Sequence, residues 1–319
     1  MASLSAKIGV LSIGDMGMGI AKLLVANGFS VATNCKGRSN DTIERAKSAQ
    51  VELLKSDEDL TQACAVVLSV VPPRDAVATA QRVIDALTGP LRRSESDPLY
   101  FADLNALAPS STKAIAALFA TSRAAVRFVD GSIIGGPPVP KADGTWDVPS
   151  IPTSGPHSLA EIPGFGAKLA ATLNTRHISA DVGAASGLKM CFASMSKGFT
   201  ALAIQSFTTA HRLGVLGELR DEMQTLMPDA WRKAERGVVG MAPKAYRWVR
   251  EMEEIALTFE EEGGFPQDSF QGAAKVYRTV AEDTSLGLEK IGKRKRGTNA
   301  EDMAAAMAEG MDTKRKKND

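Results

Sequence analysis

Apolar residues fall in short continuous blocks through the first half of the chain and at helical spacing through the second. Lys7–Leu11, Ala65–Val71, Leu99–Leu104 and Val126–Asp130 are blocks of strand length. Continuous rather than alternating apolarity predicts parallel strands covered on both faces. Between the blocks, Arg74–Leu87 places Val77, Ala80, Val83, Ile84 and Leu87 at helical spacing, and Asp41–Ala49, Glu58–Ala63 and Pro109–Ala120 read as further helices. This alternation predicts a doubly wound, mostly parallel α/β domain. Residues 141–163, rich in proline, glycine and serine, read as a surface excursion before a last strand near Thr175–Ile178. From Gly183 the pattern becomes helical throughout. Ala185–Leu213 runs as one long helix interrupted only by Gly187 and Gly198, followed by Leu216–Leu226, Asp229–Arg236, Lys244–Glu261, Asp268–Asp283 and a weaker Asn299–Glu309. The expected organisation is an α/β domain over 1–182, an all-α domain over 183–287 that begins with a long interdomain helix, and a basic, flexible tail over 288–319.

The first unit of the α/β pattern carries the most specific signal. Residues 6–34 read as strand, glycine turn, helix and second strand, with Ser12-Ile13-Gly14-Asp15-Met16-Gly17 in the turn. Gly14 and Gly17 allow the backbone to approach a pyrophosphate, and the helix behind them points unpaired N–H groups at that anion. In a G-x-G-x-x-G frame these two occupy the second and third positions and Ser12 the first, where serine requires a negative φ. Gly28 suits a left-handed helix end. The competing reading is a structural βα turn without ligand. The context of strand, turn and helix favours a Rossmann-type dinucleotide site.

The cofactor's identity is read from the end of the second strand. An acidic residue there suits the ribose diol of NAD, whereas a 2′-phosphate needs cations and small donors. Here Asn34 is followed by Cys35-Lys36-Gly37-Arg38-Ser39, which favours NADP over NAD, with Asn34, Arg38 and Ser39 as the contacts. Lys36 and Arg38 as ordinary solvated turn charges is the other reading, and Asp41 fits the first turn of the next helix. Ligands of such sheets lie off the carboxyl ends of the strands, which adds Val71-Pro72-Pro73, Asp103-Leu104-Asn105 and the Asp130–Gly136 segment to the cleft. Met16 and Met18 flank the glycine turn and face either the cofactor ribose or the sheet.

Composition narrows the partners. The chain has 319 residues, 44% of them apolar, enough for two domains with cores of their own. Lys and Arg number 38 against 37 for Asp and Glu, so overall charge gives no reason to expect nucleic acid or a membrane surface. Cys35, Cys64 and Cys191 lack C-x-x-C spacing and suit a reducing compartment, and no signal core or spanning segment is visible, so a cytoplasmic location is expected. His157, His177 and His211 lack metal-ligand spacing, and no metal is expected. Lys293-Arg294-Lys295-Arg296 and Lys314-Arg315-Lys316-Lys317 read either as a solvated tail or as a nuclear-import or polyanion-binding signal. Trp231, Tyr246 and Trp248 read as packing anchors of the helical domain.

With these residues in view, the chain resembles the β-hydroxyacid dehydrogenase superfamily, which includes 6-phosphogluconate dehydrogenase, 3-hydroxyisobutyrate dehydrogenase and the imine reductases. Ile8–Ala21, Val66–Pro73, Phe101–Thr112 with Phe128–Pro138, and Gly183–Gly198 carry the likeness in order. It looks most like a 6-phosphogluconate-dehydrogenase-like branch with a distinct helical C-terminal domain, and it is too short to be that enzyme. The resemblance implies hydride transfer between NADP and a small carbonyl or hydroxy compound, with C=N reduction and non-catalytic NADP binding as alternatives. It places the family's lysine at Lys189, in Gly183-Ala-Ala-Ser-Gly-Leu-Lys189, as general acid and base. Partial burial that lowers a lysine's pKa would fit it for this role. Lys197, two helical turns further on, is a second cation on nearly the same face. The implied substrate side is Asn105, Ser132, Gly135, Gly136 and Lys197, and Asn105 and Ser132 are also read as satisfying their own turns. Two positions depart from the family: Ile134 stands where a serine precedes the Gly-Gly pair, and Ala193 where an asparagine follows the lysine. Both remove polar partners for a carboxylate substrate. A homodimer through the helical domain is also implied.

Overall fold

The computed structural model describes residues 6–90, 93–290 and 293–318. Two compact units divide within one helix, Met1–Lys189 and Met190–Asp319.

In the first unit, β1 (Lys7–Leu11), α1 (Asp15–Ala26), β2 (Ser30–Asn34), α2 (Asn40–Ser48), β3 (Glu52–Leu54), α3 (Asp57–Ala63), β4 (Val66–Ser69), α4 (Ala76–Thr88), β5 (Leu99–Asp103), α5 (Pro109–Ser122) and β6 (Val126–Gly131) alternate as the apolar blocks predict. A small hairpin, β7 (Val139–Pro140) and β8 (Trp146–Asp147), leads to β9 (Ile151–Ser154), α6 (Gly166–Leu173) and β10 (Thr175–Ser179). The sheet order is β10-β9-β6-β5-β4-β1-β2-β3. The strands from β3 to β6 are mutually parallel, and β9 turns the sheet by pairing antiparallel with β6. Successive strand residues serve opposite faces. Val66 and Leu68 join one core with Ile20 and Leu24 of α1 and Leu169 and Leu173 of α6. Val67, between them, joins the other core with Ala80 and Val83 of α4 and Ile115 and Phe119 of α5. Both faces are thus covered, which is why the strand blocks are continuously apolar. Gly28, with φ +80°, ends α1 as expected.

Three readings of this unit change. Ile151–Ser154 lies in the expected surface excursion, yet all four residues are buried and form a strand. Pro152 is accommodated because β6 needs its carbonyl, which accepts the Ser132 N–H at 3.1 Å, and not an N–H. The short edge strand β3 and the helix α6 fall where no element was expected. Gly183–Lys189 groups with the first unit rather than opening the second, for a reason set out with the site below.

The second unit is helical. α7 (Ala184–Ala193) is followed by a π turn at Ser194–Gly198 and by α8 (Phe199–Leu213), so the expected single helix carries a local widening next to Gly198. Then come α9 (Leu216–Leu226), α10 (Pro228–Met241), α11 (Ala245–Glu261), α12 (Asp268–Arg278) and α13 (Ala300–Asn318). Phe207 of α8 meets Trp231 of α10 with ring centroids 5.1 Å apart. The expected weak helix at Asn299–Glu309 is α13, which continues to Asn318, and it is packed rather than part of a flexible tail because Met303, Ala304 and Met307 give it a buried apolar face. The first basic cluster is likewise built in: Arg294 donates to the Val239 carbonyl, and Arg296 pairs with Asp302 at 2.7 Å and Glu309 at 3.1 Å. No helix among the described residues is long and apolar enough to cross a membrane.

Candidate functional site

The bend after β1 is Ser12, Ile13 and Gly14. Gly14 is the N-cap of α1, at φ −78° and ψ −170°, and no side chain caps the helix there. A Cβ on Gly14 would meet no atom within 4 Å, so open space lies beside a helix start whose first-turn N–H groups have no intrahelical partners. Gly17 does something else. A Cβ there would stand 1.9 Å from the Ser12 carbonyl oxygen, so Gly17 lets the helix pack on the bend rather than admitting a phosphate. Ser12 is not among the residues with positive φ, as its place in the glycine frame requires. The side chain of Ile13 is buried, and its carbonyl accepts Arg45 Nε at 3.0 Å. Asp15 is exposed in the first turn, and Met16 packs on the core beneath.

At the end of β2, Asn34 is occupied. Its Nδ2 donates to Asp57 Oδ1 at 2.8 Å, and its Oδ1 accepts the Lys36 N–H at 2.9 Å. Asp57 in turn holds Arg82 through two bonds of 2.9 Å. Ser39 is the N-cap of α2, accepting the Thr42 N–H at 3.4 Å. The side chains of Lys36 and Arg38 are exposed, and Arg38 is close enough to Cys35 for its charge to oppose the rise that burial gives the thiol pKa. Arg45, which sequence reading missed, bridges α2 to the glycine bend.

At the ends of β4 and β5, Asn105 is a staple. Its Oδ1 accepts the Val71 N–H at 2.7 Å, and its Nδ2 donates to Ser69 Oγ at 3.0 Å. It is 3% exposed, so its amide holds the Val71-Pro72 turn in place instead of facing a ligand. Ser132 is also fully buried, and its Oγ has no hydrogen-bond partner among the described residues. Gly135 and Gly136 are exposed in the loop beyond it.

The most organised feature lies in two of the expected cleft segments, in a pairing that the sequence did not reveal. β5 and β6 end in aspartates that are direct neighbours, Asp103 opposite Asp130. Asp130 Oδ2 accepts Ser154 Oγ at 2.7 Å and the N–H groups of Gly183 at 2.9 Å and Ser186 at 3.3 Å, while its Oδ1 accepts Ser186 Oγ at 2.6 Å. Ser154 Oγ also accepts the Ala185 N–H at 3.0 Å, and Ser186 Oγ lies 2.9 Å from Thr112 Oγ1. The start of α7 is therefore tied to the sheet, which is why Gly183–Lys189 belongs with the first unit. Lys189 follows Ser186 by one turn and is half-buried. Asp103 Oδ1 accepts the Asn105 N–H at 3.0 Å, but its Oδ2 is buried without a partner. Burial pushes the Asp103 pKa up to about 7 and the neighbouring Asp130 charge adds to it, while the hydrogen bonds of Asn105 and the charge of Lys189 pull the other way. An aspartate closing each of two adjacent apolar strands was the available signal in the sequence.

Lys197 is engaged elsewhere, in the second unit. It pairs with Glu251, lies 5.2 Å from the Trp248 ring centroid, and its carbonyl accepts Tyr277 Oη at 2.6 Å.

Residues 7–145 match the NAD binding domain of 6-phosphogluconate dehydrogenase, and residues 210–280 match a domain of unknown function, DUF1932. A conserved hypothetical protein from Sinorhizobium meliloti 1021 is similar at a TM-score of 0.62 and 23% identity, covering 97% of each chain. Mycobacterium tuberculosis 3-hydroxyisobutyrate dehydrogenase, solved with L-serine, gives 0.62 at 16% identity over 95% of this chain and 98% of that one. An imine reductase from Myxococcus stipitatus in complex with NADP+ gives 0.51 at 16% identity over 94% and 99%. At these identities the shared feature is the fold. No curated protein matches the sequence.

Proposed function

We propose that the chain, whose residues 7–145 match the NAD binding domain of 6-phosphogluconate dehydrogenase, is an NADP-dependent oxidoreductase of the β-hydroxyacid dehydrogenase type acting on a small carbonyl or hydroxy compound. The observation that carries this reading is the open space at Gly14, beside an uncapped helix start at the carboxyl edge of a parallel sheet. The backbone from Ser12 to Met16 holds the pyrophosphate, and the exposed cations Lys36 and Arg38 hold the 2′-phosphate. Val71 and Pro72, fixed by Asn105, form the wall beyond. When bound, the nicotinamide supplies or takes up a hydride.

Lys189 moves the accompanying proton. Its ammonium gives a proton to the oxygen of a carbonyl being reduced and, as free amine, takes one from an alcohol being oxidised. α7 is suited to present it, because Asp130, Ser154 and Ser186 fix the first turn of that helix. The same arrangement serves an imine nitrogen, and Ile134 and Ala193, both without a polar side chain, favour a substrate lacking a carboxylate. Phe192, Met195 and Leu202 leave large apolar side chains exposed on the helical unit, the surface on which we place a homodimer contact.

Fluorescence titration with NADPH tests the reading. Gly14→Ala places a methyl in the open space without touching protein atoms, so affinity falls at least ~10-fold while the melting temperature stays close to the parent's. A parent protein that binds neither reduced nucleotide, or a Gly14→Ala variant that binds as well as the parent, overturns it. A screen of NADPH consumption against aldehydes, β-keto acids and cyclic imines then separates C=O from C=N reduction.

A further inference from the structure

Asp103 and Asp130 end adjacent strands in register, yet their surroundings treat them in opposite ways. Asp130 accepts four hydrogen bonds, from Ser154, Gly183 and twice from Ser186. Asp103 is 2% exposed and receives one backbone N–H on Oδ1, while Oδ2 has no partner. Of two neighbouring buried carboxyls, the one with the bare oxygen is the one that keeps its proton.

Both acids are tied to the segment that carries Lys189. Asp130 caps α7, and Ser186, which it binds twice, lies three residues before Lys189 and so shares its helix face. Asp130 of β6 and Lys189 of α7 are near enough to Asp103 for their charges to act on its carboxyl, in opposite directions. Lys113 of α5 approaches the same corner, since its Cε would be 3.2 Å from a Cβ on Gly183.

We propose that Asp103 is a positioning residue that sets the charge state of Lys189. As a neutral acid it adds nothing to the charged form of the lysine; as a carboxylate it stabilises the ammonium through its charge. The burial that raises the Asp103 pKa to about 7 places this change near neutral pH. The inference rests on reading Lys189 as the proton donor, but its test measures protons and not turnover.

The test uses the full-length protein without nucleotide. Competitive acetylation with acetic anhydride, read on the Lys189 peptide by mass spectrometry, gives the pH midpoint at which Lys189 becomes a free amine. In Asp103→Asn, which keeps the acceptor for the Asn105 N–H and loses the negative charge, that midpoint falls by about one pH unit. Coupling is reciprocal. In protein carrying ¹³C-carboxyl aspartate, the Asp103 resonance titrates near 7 in the parent and at higher pH in Lys189→Met. An unchanged Lys189 midpoint in folded Asp103→Asn, or an Asp103 carboxyl that titrates alike in the parent and Lys189→Met, overturns the proposal. Should Asp103→Asn fail to fold, the Lys189→Met measurement decides alone. Full turnover in Lys189→Ala would remove the proton-donor reading while leaving this coupling measurable, so the two failures are distinct.

Discussion

Each unit buries charge, and each handles it differently. In the helical unit the buried acids are paired with cations: Glu251, 7% exposed, with Lys197, and Glu254, 1% exposed, with Arg250 at 2.6 Å. In the α/β unit Asp130 is satisfied by neutral donors, and the neighbouring Asp103 is left with a bare oxygen. Mutual neutralisation removes the advantage of any proton transfer, so the helical pairs act as fasteners. A buried acid held near its own titration point, close to a lysine, is suited to chemistry. The contrast assigns different work to two lysines that lie close together in the sequence.

Replacing each lysine gives the largest expected effects and would break the comparison directly. Lys189→Ala lowers turnover with NADPH by at least ~10²-fold and leaves nucleotide affinity little changed. Lys197→Ala instead destabilises the fold, by about 2–3 kcal/mol in urea unfolding, because it leaves Glu251 buried without its cation. Lys197→Met combined with Glu251→Leu recovers much of that loss, since an apolar pair replaces the ion pair. If Lys197→Ala abolished turnover with stability intact, and Lys189→Ala did the reverse, the assignments would have to be exchanged.

A smaller effect sharpens the other half of the comparison. The folded state raises the Asp103 pKa from near 4 in the unfolded chain to about 7. Between those values the folded protein holds a proton that the unfolded chain has lost, so this group's contribution to stability is complete below about pH 4 and declines as pH rises to about 7. Asp103→Asn removes that decline. Its melting temperature relative to the parent therefore increases between about pH 4 and pH 7 and is level above that. Melting curves that keep a constant offset across this range would show that Asp103 is ionised throughout.

Much of this was legible in the residues. Continuous apolar blocks marked β1, β4, β5 and β6, because a strand covered on both faces must be apolar on both, and the spacing of Gly14 and Gly17 marked the bend. Ile151–Ser154 was not legible, because its proline and its loop-like neighbours outweigh four residues that only the sheet context buries. The packed C-terminal helix was obscured by its own composition: its buried face is made of alanine and methionine, and its charges dominate the pattern. At the site, the amide nitrogens of the nominated residues Asn34 and Asn105 donate to partners more than twenty positions away in sequence. Local pattern does not reveal such bonds. For the same reason the Asp130 cap on α7 went unseen: the aspartate and the helix start it binds are 53 residues apart.

The smallest expected effect concerns the outer phosphate of the proposed NADP. Ser39 caps α2 and Asn34 is held by Asp57, so the specificity of this corner falls to cations whose side chains remain available. Arg38 is exposed beside Cys35, whereas Arg45 is tied to the Ile13 carbonyl and to Thr42. An exposed arginine on a phosphate is worth about 1–2 kcal/mol, so Arg38→Ala should weaken NADPH binding about 5- to 30-fold and leave NADH binding nearly unchanged. The ratio matters more than either affinity, because damage to the fold would lower both. Equal loss for the two nucleotides would assign Arg38 to the strand end as a structural charge. No loss for either would transfer the 2′-phosphate to Lys36, leaving the cradle at Gly14 in place but with a different neighbour.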